Sequence, residues 1–172
     1  MADDATMTIS AAILPDEIQK TLTSLSFGYT PSDANDGWYY GLVDVQTSSQ
    51  GLIPAGSNFL QLGTTAAGED SGTAMHTISA ADKIKFLFIK HSGYRDDGTT
   101  ANTADSVYLT FDGTAPTSTI IDAFEVGPSE SWFCKPFCTV NDLKAISQVK
   151  NKGGASGVQK IQCLVAAVID NV

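Results

Sequence analysis

His76, His91, Cys134, Cys138 and Cys163 are the residues of this chain best suited to bind a metal or attack a substrate. A zinc site takes three or four such ligands, usually closely spaced. The one close pair here is Cys134-Lys135-Pro136-Phe137-Cys138, with three residues between the thiols. It makes half a site at best, to be completed by Cys163 and a histidine. The simpler reading is two free thiols on a turn after a strand. The same pair could oxidise outside a cell, since Pro136 bends the chain between them. Cys163 lies in an apolar run, where a free cysteine acts as a small core residue.

Other chemistries fare no better. Gly127-Pro128-Ser129-Glu130-Ser131 approaches a nucleophile turn but lacks its closing glycine, and Pro128 stiffens it. It reads as a strand connection, with Glu130 meeting a backbone N–H or a lysine. Asp33-Ala34-Asn35-Asp36-Gly37 approaches a calcium loop, but the spacing is one residue short. Asp44 stands where a bidentate glutamate should be. Asp96-Asp97-Gly98 is a second acidic turn, and Asp and Gly are ordinary turn formers. Phosphate-binding glycine motifs are missing from the sequence. The expectation is a non-enzymatic protein with no catalytic, cofactor-binding or metal-binding residues and no cofactor. Trp38-Tyr39-Tyr40 is the remaining candidate. In a strand Trp38 and Tyr40 share one face and Tyr39 takes the other, so one face packs inward, and Trp38 is expected in the core because large aromatics dominate sandwich cores. A solvent-facing aromatic pair would suit a glycan or a protein partner.

Composition narrows the partners. The net charge is −9, and Arg95 is the single arginine. Nucleic-acid binders carry basic patches, because phosphate contacts dominate their affinity. No nucleic-acid partner is expected. The longest apolar stretch, Ile161 to Ile169, is broken by Gln162 and is too short for a membrane-spanning helix. No membrane partner is expected. The acidic start, Met1-Ala2-Asp3-Asp4, lacks the basic-then-apolar order of a secretion signal and points to synthesis in a cytosol.

The elements that would position these residues are strands. Thr is plentiful and suits a pleated surface, while Gly, Ser, Asp and Pro mark many turns. Period-2 patterning predicts strands near 22–29, 38–45, 58–62, 75–78, 84–91, 106–112, 120–126, 131–133, 140–149 and 158–169. A helical turn is expected at 16–20, and a short helical lead from Asn141. Ile84, Phe86 and Phe88 should share one face, with Leu87 and Ile89 on the other. Val107, Leu109 and Phe111 should point together. Loops are expected at 63–73 and 93–105, and a tight hairpin at Asp112-Gly113. The fold class is all-β: an antiparallel β-sandwich, jelly-roll-like, with a short N-terminal arm. Residues 1–15 are assigned to the arm and 16–172 to the sandwich domain.

Four stretches carry a resemblance. They are Ile13-Leu14-Pro15-Asp16-Glu17-Ile18, Gly37-Trp38-Tyr39-Tyr40, Lys83-Ile84-Lys85-Phe86-Leu87-Phe88-Ile89-Lys90 and Ala123-Phe124-Glu125-Val126-Gly127-Pro128-Ser129-Glu130-Ser131-Trp132. With the closing strand from Gly157 to Ile169, their order resembles small virion structural proteins of tailed bacteriophages, in particular capsid decoration or cement proteins. That resemblance implies a capsid-surface protein made in the host cytoplasm. It would form a homo-oligomer, a trimer, and bridge neighbouring subunits of its partner, the major capsid protein. The alternative expectation is a receptor- or glycan-binding β-sandwich of a head fibre or tail tip. It is motivated by Trp38 to Tyr40 and the long polar loops.

Overall fold

The computed structural model describes residues 5–9, 25–29, 36–56, 58–61, 75–116, 123–149 and 160–170. Twelve strands build them, with no helix among the described residues. The first six are β1 (Ala5–Ile9), β2 (Leu25–Tyr29), β3 (Asp36–Val45), β4 (Gln50–Gly51), β5 (Asn58–Gln61) and β6 (Met75–Thr77). The other six are β7 (Lys83–Arg95), β8 (Asp105–Thr110), β9 (Phe124–Val126), β10 (Ser131–Cys134), β11 (Lys144–Val149) and β12 (Ile161–Asp170). The fold is the expected antiparallel β-sandwich. One sheet has six strands in the order β10-β7-β12-β3-β5-β6, and the other has four in the order β4-β11-β8-β9. Strands β1 and β2 pair with each other, so part of the expected arm, Ala5–Ile9, is a strand. The expected turn at 16–20 and the whole 63–73 loop lie outside the described residues.

Side-chain alternation explains the inner layer. Ile161, Cys163, Val165, Ala167 and Ile169 of β12 all face inward and are fully buried. Neighbouring strands add Val43, Val45, Leu87 and Ile89, and the four-stranded sheet answers with Val107, Leu109, Val126 and Ala145. Phe111 packs against this core beside Val107 and Leu109, as their shared parity predicts. Burying such aliphatic side chains contributes roughly 1.5–3 kcal/mol each before entropy is counted.

Four expectations are corrected. Ile84 does not share a face with Phe86 and Phe88. Val168 pairs with Phe86 and the next residue, Ile169, pairs with Ile84, so Lys85 is a bulged extra residue. A bulge shifts the parity of everything beyond it, and Ile84 joins Leu87 and Ile89 in the core. Strand β7 also runs through Gly93 to Arg95, where a loop was expected. Gly93 allows this with a positive φ of 84°, which carries the strand through a local twist. Third, Asp112-Gly113 does not close a tight hairpin. β8 and β9 do pair, Leu109 opposite Phe124, but the connection between them is long. Gly113 has a φ of 82° and donates its N–H to the Asp142 carbonyl instead. Finally, the lead into β11 is a turn, not a helix. Asp142 accepts from both the N–H and the hydroxyl of Thr139, which holds that turn closed.

Candidate functional site

His91 and the three cysteines, first suspected of chemistry, are disarmed by burial. His91 is fully buried between the sheets. Its Nδ1 accepts the Gly93 N–H at 2.9 Å, which leaves the ring proton on Nε2, donated to the Asp105 carbonyl at 3.1 Å. Burial pushes the His91 pKa down, against the opposing pull of Asp105 and Glu130. His76 stands on β6, opposite Phe59 in register. All three cysteines are free thiols. Burial pushes the Cys134 thiol up to about 12, Cys138 up to about 11 and Cys163 up to about 12. Thiols held that high are poor nucleophiles at neutral pH. Among the described residues, no group of three His, Cys, Asp or Glu side chains could hold a metal ion.

The acidic turns also have structural duties. Asp97 accepts the N–H groups of Thr99 and Thr100 and the Thr100 hydroxyl, and these bonds pull its pKa down to about 2. Asp33, Ala34 and Asn35 of the calcium-like stretch lie outside the described residues. Glu130 accepts the Gly127 N–H at 2.9 Å, the backbone partner expected for it. Ser129 sits at a positive φ of 65° in the turn between β9 and β10. Its hydroxyl stands where a Cβ on Gly93 would fall, at 2.6 Å.

Two apolar surfaces remain. The first is the outer face of the six-stranded sheet. Register places Leu164 between Leu42 and Lys90, and Ala166 between Tyr40 and Phe88. One step further along, Val168 lies between Trp38 and Phe86, whose rings meet edge-on at 6.1 Å. That end of the face is closed, with Phe86 and Val168 buried. The other end is open: Tyr40 is 74% exposed, Leu42 65% and Leu164 39%. An antiparallel sheet with one wet face normally turns polar residues outward. A contiguous apolar patch there marks an interaction site. Parity joins Trp38 with Tyr40 as expected, but the core residue is Tyr39 and not Trp38, because the inward parity of β3 is that of Val43 and Val45. Leu42 and Leu164 escaped notice because β12 is apolar on both faces, and only the register brings them side by side.

The second surface lies at one side of the sandwich. β9 is the edge strand of the four-stranded sheet and β10 the edge strand of the six-stranded sheet. The short 127–130 turn joins them, so both edges fall on the same side. Phe124 of β9 and Trp132 of β10 bridge the gap, with ring centroids 4.7 Å apart. Phe111 completes the cluster at 5.3 Å from Phe124 and 5.6 Å from Trp132. The cluster seals the core, yet Phe124 stays 45% exposed. Glu125 follows it in sequence, exposed, and its carboxylate accepts the Ser106 hydroxyl at 2.8 Å.

No protein-family model matches this chain, and neither does any curated protein. Among solved structures the chain is similar to the coat protein of Tobacco streak virus. Sequence identity is 11% and the TM-score 0.34, over 81% of this chain and 89% of that one. So low a score says nothing about role.

Proposed function

We propose that this chain is a non-enzymatic structural protein of a virus particle. In the finer form, it is a decoration or cement protein on the head of a tailed bacteriophage. It is made in the host cytoplasm, assembles as a homotrimer and bridges neighbouring major capsid subunits. The observation that carries the assembly role is the open apolar end of the six-stranded sheet, at Tyr40, Leu42 and Leu164. Large exposed apolar side chains cluster on a strand surface, as interfaces require. The phage assignment rests on the four resembling segments of sequence. Co-sedimentation of the purified chain with isolated heads should give saturable binding, and heads lacking it should break at lower temperature. Unbound protein together with unchanged head stability would rule the proposal out.

One observation favours a second reading. Tyr40 is 74% exposed on the outer face of the sheet, which suits stacking of its ring on a sugar. A receptor- or glycan-binding module should then give glycan-array hits, lost together with particle adsorption in Tyr40→Ala. An empty array and unchanged adsorption would dismiss it.

A further inference from the structure

Strand β7 departs from its neighbour just beyond His91. It takes four steps from His91 to Arg95 while β12 takes two, from Cys163 to Ile161. The surplus opens into a hairpin. Tyr94 bridges Ala101, Arg95 donates its N–H to the Thr100 carbonyl, and the tip from Asp96 to Thr100 is exposed. A closed circuit of four hydrogen bonds ties the base of this hairpin to the core. The Gly93 N–H donates to His91 Nδ1 at 2.9 Å, and the Gly93 carbonyl accepts the Asn102 N–H at 2.7 Å. The Asn102 side-chain amide donates to the Asp105 carboxylate at 2.8 Å, and the Asp105 carbonyl accepts from His91 Nε2 at 3.1 Å. His91, Asn102 and Asp105 are all buried. Of these, only His91 has an ordinary pKa near neutrality.

We infer that His91 is a pH-sensitive latch: the neutral ring holds the base of the 93–102 hairpin, and the protonated ring releases it while the sandwich stays folded. The protonated ring has no lone pair for the Gly93 N–H, so two donors would face each other at 2.9 Å. Freed of that bond, Gly93 is no longer held at a φ of 84°, and the carbonyl that receives Asn102 turns with it. A circuit of polar groups broken at one bond weakens at the next. The charged groups around the ring put protonation within reach. Asp105 on β8 and Glu130 in the turn before β10 both favour the charged ring, and Glu130 also takes the His91 N–H on its carbonyl. Cys163, opposite on β12, is a neutral thiol, and Lys90 on β7 points to the other face of the sheet. Burial outweighs the two acids, so the ring charges below its ordinary value. Local release follows from what else ties the hairpin down. Arg95 stands opposite Ile161, the Asp96 N–H reaches the Lys160 carbonyl at 3.2 Å, and the same two side chains form a 4.0 Å ion pair at the surface. Surface ties of this kind open at little cost, far below that of the packed sheet.

The latch goes beyond the proposed particle role and stands whether or not the chain binds heads. Ring protonation is read from the His91 nitrogen chemical shifts. The hairpin is read from amide hydrogen exchange at Gly93 and Asn102, corrected for the intrinsic effect of pH. Between pH 7.5 and 4.5 protection at both amides should fall about tenfold or more, with the same midpoint as the ring titration. Val165 and Ala167, paired on both sides in β12, should keep their protection. Asn102→Ala cuts the circuit at another point. By linkage, a hairpin already loosened lets the ring protonate more easily, so its titration should move up toward about 6.5. His91→Gln cannot titrate and should make exchange at Asn102 independent of pH. The native chain decides the matter even where a variant fails to fold. A ring that stays neutral until the whole protein unfolds overturns the inference. So does a ring that titrates while Gly93 and Asn102 stay protected, or protection lost equally at Val165. In a folded Asn102→Ala, an unmoved ring titration does the same.

Discussion

Individual residues carry the first tests. His91 is held neutral by two hydrogen bonds that fix one tautomer. Protonation would put a proton on Nδ1, facing the Gly93 N–H, and would charge a fully buried ring. The folded pKa is therefore below the ordinary value of about 6.5. Above pH 6.5 both folded and unfolded chains leave the ring neutral, and its contribution to stability is complete. As pH falls below 6.5 the unfolded chain takes up a proton that the folded chain refuses, so stability drops. The loss cannot exceed about 1.4 kcal/mol per pH unit for one proton. Urea midpoints should fall between pH 7 and 5, and His91→Gln should flatten that part of the profile. Asp97 titrates in a separate window. Its pKa is depressed to about 2, so its contribution is present above about 3.8 and goes as pH approaches 2. A second residue-scale outcome concerns the thiols. All three have raised pKa values through burial. Native protein at pH 8 should react slowly with a thiol reagent, and denatured protein should react at all three cysteines at once. A disulfide between Cys134 and Cys138 is not expected. Cys134 pairs with Leu87, and the Cys138 carbonyl accepts the Ile84 N–H. The two cysteines thus meet β7 on opposite sides of the Lys85 bulge, and both stand as free thiols. Fast native labelling, or an oxidised pair under air, would contradict this.

At the level of elements, much was legible. Alternation located β3 and β8, while apolar runs bounded by turn residues located β7 and β12. What alternation could not show was the bulge at Lys85, which changes the face of Ile84 without changing its type. Gly93 likewise looked like a loop opener, since a glycine at positive φ has the same letter in a strand and in a turn. The structure gives it a stricter reason. Any Cβ there would fall 2.6 Å from the Ser129 hydroxyl and would sit at a φ of 84°. Gly93→Ala should cost about 1–3 kcal/mol, read as a lowered thermal midpoint. Pairing the substitution with Ser129→Ala, which removes only the clashing hydroxyl, should recover the steric part and leave the backbone part. The candidate interaction surfaces were half legible. The Trp38-Tyr39-Tyr40 parity follows from spacing alone. Leu42 meets Leu164 through register, which depends on contacts between residues far apart in sequence.

That distance sets the behaviour of the whole molecule. The central strand of the six-stranded sheet is β12, which pairs with β3 along its full length and with β7 on its other side. The sheet order places the last described strand at the middle, between strands that begin at Asp36 and Lys83. Neither β3 nor β7 pairs with the other, so without β12 they have no common neighbour. The core would also lose Ile161, Cys163, Val165, Ala167 and Ile169, all fully buried. Each large aliphatic among them is worth roughly 1.5–3 kcal/mol, and a domain of this size is stable by only about 5–15 kcal/mol in total. The sandwich therefore cannot close until β12 has joined β3 and β7, pairings between residues far apart in sequence, which makes folding slow. Refolding from urea should proceed in milliseconds to seconds, without a microsecond phase that recovers native tertiary signal. Deleting residues 161–172 should abolish the cooperative thermal transition and the near-ultraviolet circular dichroism of the packed aromatics. Supplying the missing strand as a separate peptide should restore both in proportion to peptide bound. A truncated chain that still melts cooperatively would show that β3 and β7 hold their places without β12, and that the sheet order has been misjudged.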